Sequence, residues 1–213
     1  MKTKISLGRF KKLYDTFDKG HDQKHMQEVC SFSLKLAKKY CPSKLEIVYV
    51  AATLHDIGLS INRNTHEIEG YKLIKNDQLI KNAYKPQDFK DILEAVRQHR
   101  ASTGKPSSTI AKIVSDADKV SAGTSRVFQR AYFWGEKNLP QLNHSDQVIR
   151  AAQHLHKKFG PQGTGTRLYF KESQERQDRT YGPIFAALKN NDITKLESIL
   201  KINHTHPPNR TTA

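Results

Sequence analysis

Apolar residues recur along this chain with the spacing of an α-helix, and no segment shows the strict alternation of a half-buried strand. His25, Val29, Phe32 and Leu36 fall at i, i+4, i+7 and i+11, one face of a helix over 21–40. Phe89, Ile92, Val96 and His99 make a similar stripe on a helix that opens at Pro86, where proline is tolerated in a first turn, and runs to about Arg100. Ile110, Ile113, Val114, Ala117 and Val120 mark a helix over about 108–121. Val148, Ala151, Ala152, Leu155 and Phe159 mark another over 145–159. Shorter helices are predicted over 9–18, 66–75, 77–83 and 124–134, then over 170–178, 183–190 and 192–202. Tyr132-Phe133-Trp134 reads as core. Breaks fall at Cys41-Pro42-Ser43 and in the polar runs 60–65, 101–107 and 160–166. The last of these is glycine-rich but lacks the Gly-Lys-Ser/Thr of a phosphate-binding loop. From about residue 204 the chain reads as a frayed tail. The expectation is an all-α single domain, with residues 1–123 as its core and 124–213 as helices completing it.

The helix over 44–57 departs from this pattern because it is apolar on nearly every side, which argues for burial at the centre of the domain. Its stretch Val48–Leu59 ends in His55-Asp56, and Gly58 follows in the position where glycine commonly closes a helix. An ionised Asp at the end of a buried helix is costly unless something offsets its lost hydration. A divalent cation would do so; hydrogen bonds alone are the other reading. Other polar groups face the same interior. His25 and His99 lie on the apolar stripes above. His66 shares a face with Gly70 and Leu73 behind a capping Thr65, and Gly70 leaves room for a second backbone. Asp116 and Asp118 flank the 108–121 stripe on opposite sides, at angles too similar to choose between them. Imidazoles with carboxylates suit Mn²⁺, Fe²⁺, Zn²⁺, Ni²⁺ or Co²⁺.

Composition narrows the partners. The 213 residues are 27% charged and 36% hydrophobic, as in a soluble globular chain. Net charge is +15, spread as +5, +3 and +7 over residues 1–60, 61–120 and 121–213. Such a field gathers anions without selecting among them. No block of five like charges marks a nucleic-acid tail. No apolar run spans a membrane, and the basic N-terminus lacks the apolar stretch of a secretory signal. Cys30 and Cys41 form no zinc-ligand or redox motif, so a cytoplasmic protein is expected.

The ordered set His25, Leu-His55-Asp56-Ile-Gly and Val114-Ser-Asp-Ala-Asp-Lys-Val-Ser-Ala122 strongly resembles the HD-domain superfamily of metal-dependent phosphohydrolases. The resemblance implies an HD-domain helical bundle with one divalent ion (Mn, Fe, Ni, Co, Zn or Mg) held by His25, His55, Asp56 and Asp118. Asp118 is chosen because Ala117-Asp118-Lys119-Val120 matches the family's Ala-Asp-x-Leu, with Asp116 as a supporting neighbour. Hydroxide generated at the metal would attack a nucleotide or small phosphoester. The segments His66–Ile74 and Gln98-His99 are similar to those of small bacterial phosphohydrolases, and to extra ligands in HD-GYP cyclic-dinucleotide phosphodiesterases. Yet His66 follows Asp56 by only ten residues, and no Gly-Tyr-Pro follows His99. With Glu69 the only carboxylate placed to add to His66 and Asp56, a second metal looks undersupplied. His66, His99 and Arg100 are therefore expected to line a phosphate pocket and aid proton transfer, with Arg100 and Lys119 contacting substrate. The expected partner is an anionic small molecule, foremost a nucleotide; nucleic acid is less favoured, and no membrane is expected. The alternative is a metal-containing module that binds nucleotide or RNA without turnover.

Overall fold

The computed structural model of the protein describes residues 3–18, 20–101, 103–163 and 167–202; the expected tail from 204 lies outside them. The described residues are helical, without a strand. The helices are α1 (Gly8–Leu13), α2 (Gln23–Tyr40), α3 (Leu45–Leu54), α4 (His66–Asn76), α5 (Gln78–Ala83), α6 (Pro86–Gln98), α7 (Thr109–Val120), α8 (Thr124–Asn138), α9 (His144–Phe159), α10 (Lys171–Lys189) and α11 (Ile193–Leu200).

Helix α3 lies at the centre, as its all-round apolar sequence demands. Ile47, Val48, Val50, Ala51, Ala52, Thr53 and Leu54 are all buried, and the helix packs against α2, α6 and α7. Helix α2 turns its predicted stripe of His25, Val29, Phe32 and Leu36 onto it. Two buried clusters result. The first gathers residues from Leu7 to Val120. The second gathers Ala122 to Leu200 between α8, α9, α10 and α11. Helix α10 joins them: it contacts α7 as well as α8, α9 and α11, and Phe170 at its N-terminus packs on the first cluster.

Three local expectations need correcting. Gly58 does not close a helix in the left-handed conformation, since no described glycine has positive φ. Helix α3 stops at Leu54, and Gly58 lies inside a 3-10 turn, Ile57–Ser60. There it meets α4 backbone to backbone: a Cβ on Gly58 would stand 2.0 Å from the His66 carbonyl oxygen and 2.4 Å from the Gly70 nitrogen. Gly70 does supply the close approach expected of it. Second, α10 runs unbroken through Gly182-Pro183, because Tyr181, Ile184 and Ala187 bury one continuous face. Third, of the aromatic trio only Tyr132 is buried; Phe133 is 48% and Trp134 57% exposed.

Gly58→Ala should therefore separate α4 from the His55-Asp56 turn. The clash is with backbone, which no side-chain rotation relieves, so a loss of at least about 3 kcal/mol is expected in urea unfolding. A change within 0.5 kcal/mol would contradict the close-packed turn.

Candidate metal centre

Six side chains from five segments meet at the C-terminal end of α3. His55 and Asp56 follow that helix directly; His25 comes from the first turn of α2 and His66 from the start of α4. His99 comes from the end of α6 and Asp118 from α7. Asp56 lies between two pairs of imidazoles. Its Oδ2 is 3.0 Å from His55 Nε2 and 3.6 Å from His25 Nε2. Its Oδ1 is 3.5 Å from both His66 Nε2 and His99 Nε2. Asp118 Oδ1 closes the first group, 3.2 Å from His25 Nε2 and 3.9 Å from His55 Nε2. His25, His55, Asp56 and His99 are almost entirely buried.

The backbone fixes which ring nitrogen is presented. His55, His66 and His99 each place Nδ1 against the carbonyl three residues earlier, on Ala52, Arg63 and Val96, at 2.8, 2.9 and 2.7 Å. A carbonyl only accepts, so Nδ1 carries the proton and donates, and Nε2 is left with its lone pair toward the centre. Those Nε2 atoms face one another, 3.3 Å apart between His25 and His55 and 3.1 Å between His66 and His99. Two lone pairs so close repel unless a proton or cation lies between them. Metal–ligand bonds of about 2.0–2.2 Å place neighbouring donors of one ion roughly 2.9–3.5 Å apart, the spacing seen here. Asp56 Oδ2 and His25 Nδ1 are buried and make no hydrogen bond. The donor set thus fits divalent cations in two places: His25, His55 and Asp118 form one candidate group, and Asp56, His66 and His99 the other.

Electrostatics agree. Burial opposes a charge on His55, but the Asp56 carboxylate beside it outweighs burial and raises its pKa to about 9. Burial likewise opposes the charge on Asp56, and His55 overrides it and holds the carboxyl well below its ordinary range.

Several expected residues take other places. Asp116, expected beside the ligands, points away: its Oδ2 accepts the backbone N–H groups of Tyr169 at 2.8 Å and Phe170 at 3.2 Å. Burial raises its pKa against those bonds. It anchors the start of α10 to α7. Asp116→Ala should leave the metal content unchanged while lowering stability by about 1–3 kcal/mol, the cost of stranding buried donors. Loss of metal on that substitution would contradict the placement.

Arg100, half-buried, donates to Glu67, at 3.2 and 3.3 Å, and to the Asn64 carbonyl. Thr103 donates to the same Glu67. Lys119 Nζ donates to the Arg167 carbonyl at 2.9 Å. Neither is in a ligand group. Glu69, weighed as the extra carboxylate, pairs with Lys72 at 3.0 Å instead. A single ion was expected for want of ligands for a second; the structure offers a second candidate group, in which Asp56 joins His66 and His99.

Two contributors had no distinct sequence signal. The buried Tyr14 hydroxyl donates to the Thr53 carbonyl at 2.9 Å and accepts the Asp56 backbone N–H at 3.3 Å, fixing the turn that carries Asp56. Burial, then the Asp56 charge, raises its pKa well above the ordinary phenol value. His21 lies at the rim, its ring 5.7 Å from that of His25 and its Nδ1 3.0 Å from Asp18 Oδ1.

Comparison with curated proteins and with solved structures returned no match. In comparison with family models, residues 23–123, from the first residue of α2 to just past α7, match the HD domain. That span holds all six converging side chains. Residues 23–123 are an HD domain, and that segment places the metal centre in the HD-domain superfamily.

Proposed function

We propose that the protein is a metal-dependent phosphohydrolase acting on a nucleotide or small phosphoester at a two-cation centre bridged by Asp56. His25, His55, Asp118 and Asp56 Oδ2 would hold one cation; His66, His99 and Asp56 Oδ1 would hold the other. The observation that carries this is the pair of facing Nε2 contacts on either side of one buried carboxylate. Divalent cations there would neutralise phosphate charge and lower the pKa of a coordinated water toward neutrality, making a nucleophile available.

The chain's own residues prepare the site. The carbonyls of Ala52, Arg63 and Val96 hold three imidazoles in one tautomer, so no side chain must reorient when a cation enters. Tyr14 and the Gly58–His66 contact keep the Asp56 turn in register with α4. The Glu67–Arg100 pair ties α4 to the end of α6, which sets the His66–His99 spacing. His21, paired with Asp18 at the rim, is placed to pass a proton to a leaving oxygen.

Purified protein supplied with Mn²⁺, Co²⁺ or Ni²⁺ should release phosphate from a panel of mono-, di- and triphosphates and cyclic nucleotides, and EDTA should stop it. At a metal concentration 100-fold above Kd, the melting temperature should rise by roughly 5–10 °C, from about 2.7 kcal/mol of linkage. Stoichiometric metal binding without hydrolysis of any member would favour the module that binds nucleotide or RNA without turnover.

A further inference from the structure

Three cations surround one half-buried tyrosine ring beside α7. Lys112 Nζ stands 5.5 Å from the centroid of the Tyr169 ring, Lys119 Nζ 5.7 Å and the guanidinium carbon of Arg167 5.7 Å. The arrangement follows from the sequence of α7. Lys112, Asp116 and Lys119 fall at i, i+4 and i+7, one face of the helix. Asp116, in the middle, accepts the backbone N–H groups of Tyr169 and Phe170, which lays the chain before α10 across that face. Lys119 Nζ holds it again, donating to the Arg167 carbonyl at 2.9 Å. The ring thus lies between two lysines whose backbones are about 10 Å apart along the helix, with Arg167 exposed beside it.

Nearby cations find carboxylates: Lys39 pairs with Glu172 at 2.6 Å and Lys171 with Glu175 at 3.8 Å. Lys112, Lys119 and Arg167 have no ion-pair partner among the described residues. The negative face of the ring offsets part of their mutual repulsion. What remains favours an anion whose charge matches all three. Asp118, one residue from Lys119, projects about 100° away around the helix, toward His25 and His55. The cluster is therefore separate from the two ligand groups, and none of their six side chains takes part in it.

We propose that Lys112, Lys119 and Arg167, set around Tyr169, form an anion site outside the metal centre that binds a chain of linked phosphates, such as the di- or triphosphate of a nucleotide. A phosphomonoester carries about two negative charges near neutral pH, fewer than the three cations offer. Two lysines placed two helical turns apart suit a ligand with length. Arginine adds a planar fork for two oxygens, and each lysine a mobile point charge. Cations flank the ring, so it is not an open platform for a base; this favours a free oligophosphate over a nucleic-acid strand. The site does not rest on the phosphohydrolase reading.

The test is calorimetry with tripolyphosphate, on protein stripped of metal and dialysed free of chelator. Lys112→Gln and Arg167→Gln should each weaken binding about 10-fold, the loss expected for one charge-assisted contact. Arg167→Lys should recover part of that loss. Lys81→Gln, an exposed lysine on α5, should bind as wild type does, and equal melting curves would show that the variants fold. His99→Ala should also leave tripolyphosphate binding unchanged, which separates this site from the metal centre whether or not the protein hydrolyses anything. Absence of tripolyphosphate binding by wild type, Gln variants that bind like Lys81→Gln, or loss of binding in His99→Ala would overturn the proposal. So would Gln variants that lose a single-stranded oligonucleotide but keep tripolyphosphate, since the surface would then be one for nucleic acid.

Discussion

Asp56→Ala should remove both cations at once and reduce phosphohydrolysis to background, a loss of at least about 10⁴-fold. Its two oxygens reach both ligand groups: Oδ2 faces His25 and His55, and Oδ1 faces His66 and His99. Removing it also leaves the His66–His99 pair with no carboxylate and the His25–His55 pair with Asp118 alone. Affinity should fall in both groups, since bridged ions share the lost ligand. Asp56→Asn separates charge from shape, because it fills the same space but presents a neutral amide. Metal analysis should read close to zero for Ala and sub-stoichiometric for Asn, with helical content unchanged. One ion retained by Asp56→Ala would show that the two groups do not share this residue.

His66→Ala and His99→Ala should each lose one cation and keep the other. Both rings belong to the group at Asp56 Oδ1, whereas His25, His55 and Asp118 form a group without them. Turnover should fall by about 10²–10⁴-fold, within the range set by losing one of two charges that polarise the phosphate. The mirror substitutions His25→Ala and Asp118→Ala should remove the other ion and spare the one at His66 and His99. If His66→Ala and His99→Ala kept every bound metal while losing turnover, both rings would be substrate contacts, as the sequence reading expected.

Much of this site was legible in the sequence because helical geometry is regular. His25, His66 and His99 fall on apolar stripes, and an imidazole on such a stripe points where the leucines and valines point. The choice between Asp116 and Asp118 was not legible from angle alone. It depends on what lies opposite each, and for Asp116 that is the backbone of Tyr169 and Phe170, more than fifty residues along the chain. A second group was weighed with Asp56 as its bridge and set aside for want of a further carboxylate; only the fold shows that the two Asp56 oxygens face different imidazole pairs. Gly58 was read as a helix stop, because the local signal for a cap and for a close backbone contact is the same residue.

The most direct test of the account is electron paramagnetic resonance on the protein titrated with Mn²⁺. The account predicts two equivalents bound and a spectrum of an exchange-coupled pair, since one carboxylate bridges the ions, with His99→Ala reverting to an isolated ion at one equivalent. A single equivalent in wild type, with the spectrum of an isolated ion that His99→Ala leaves unchanged, would contradict it.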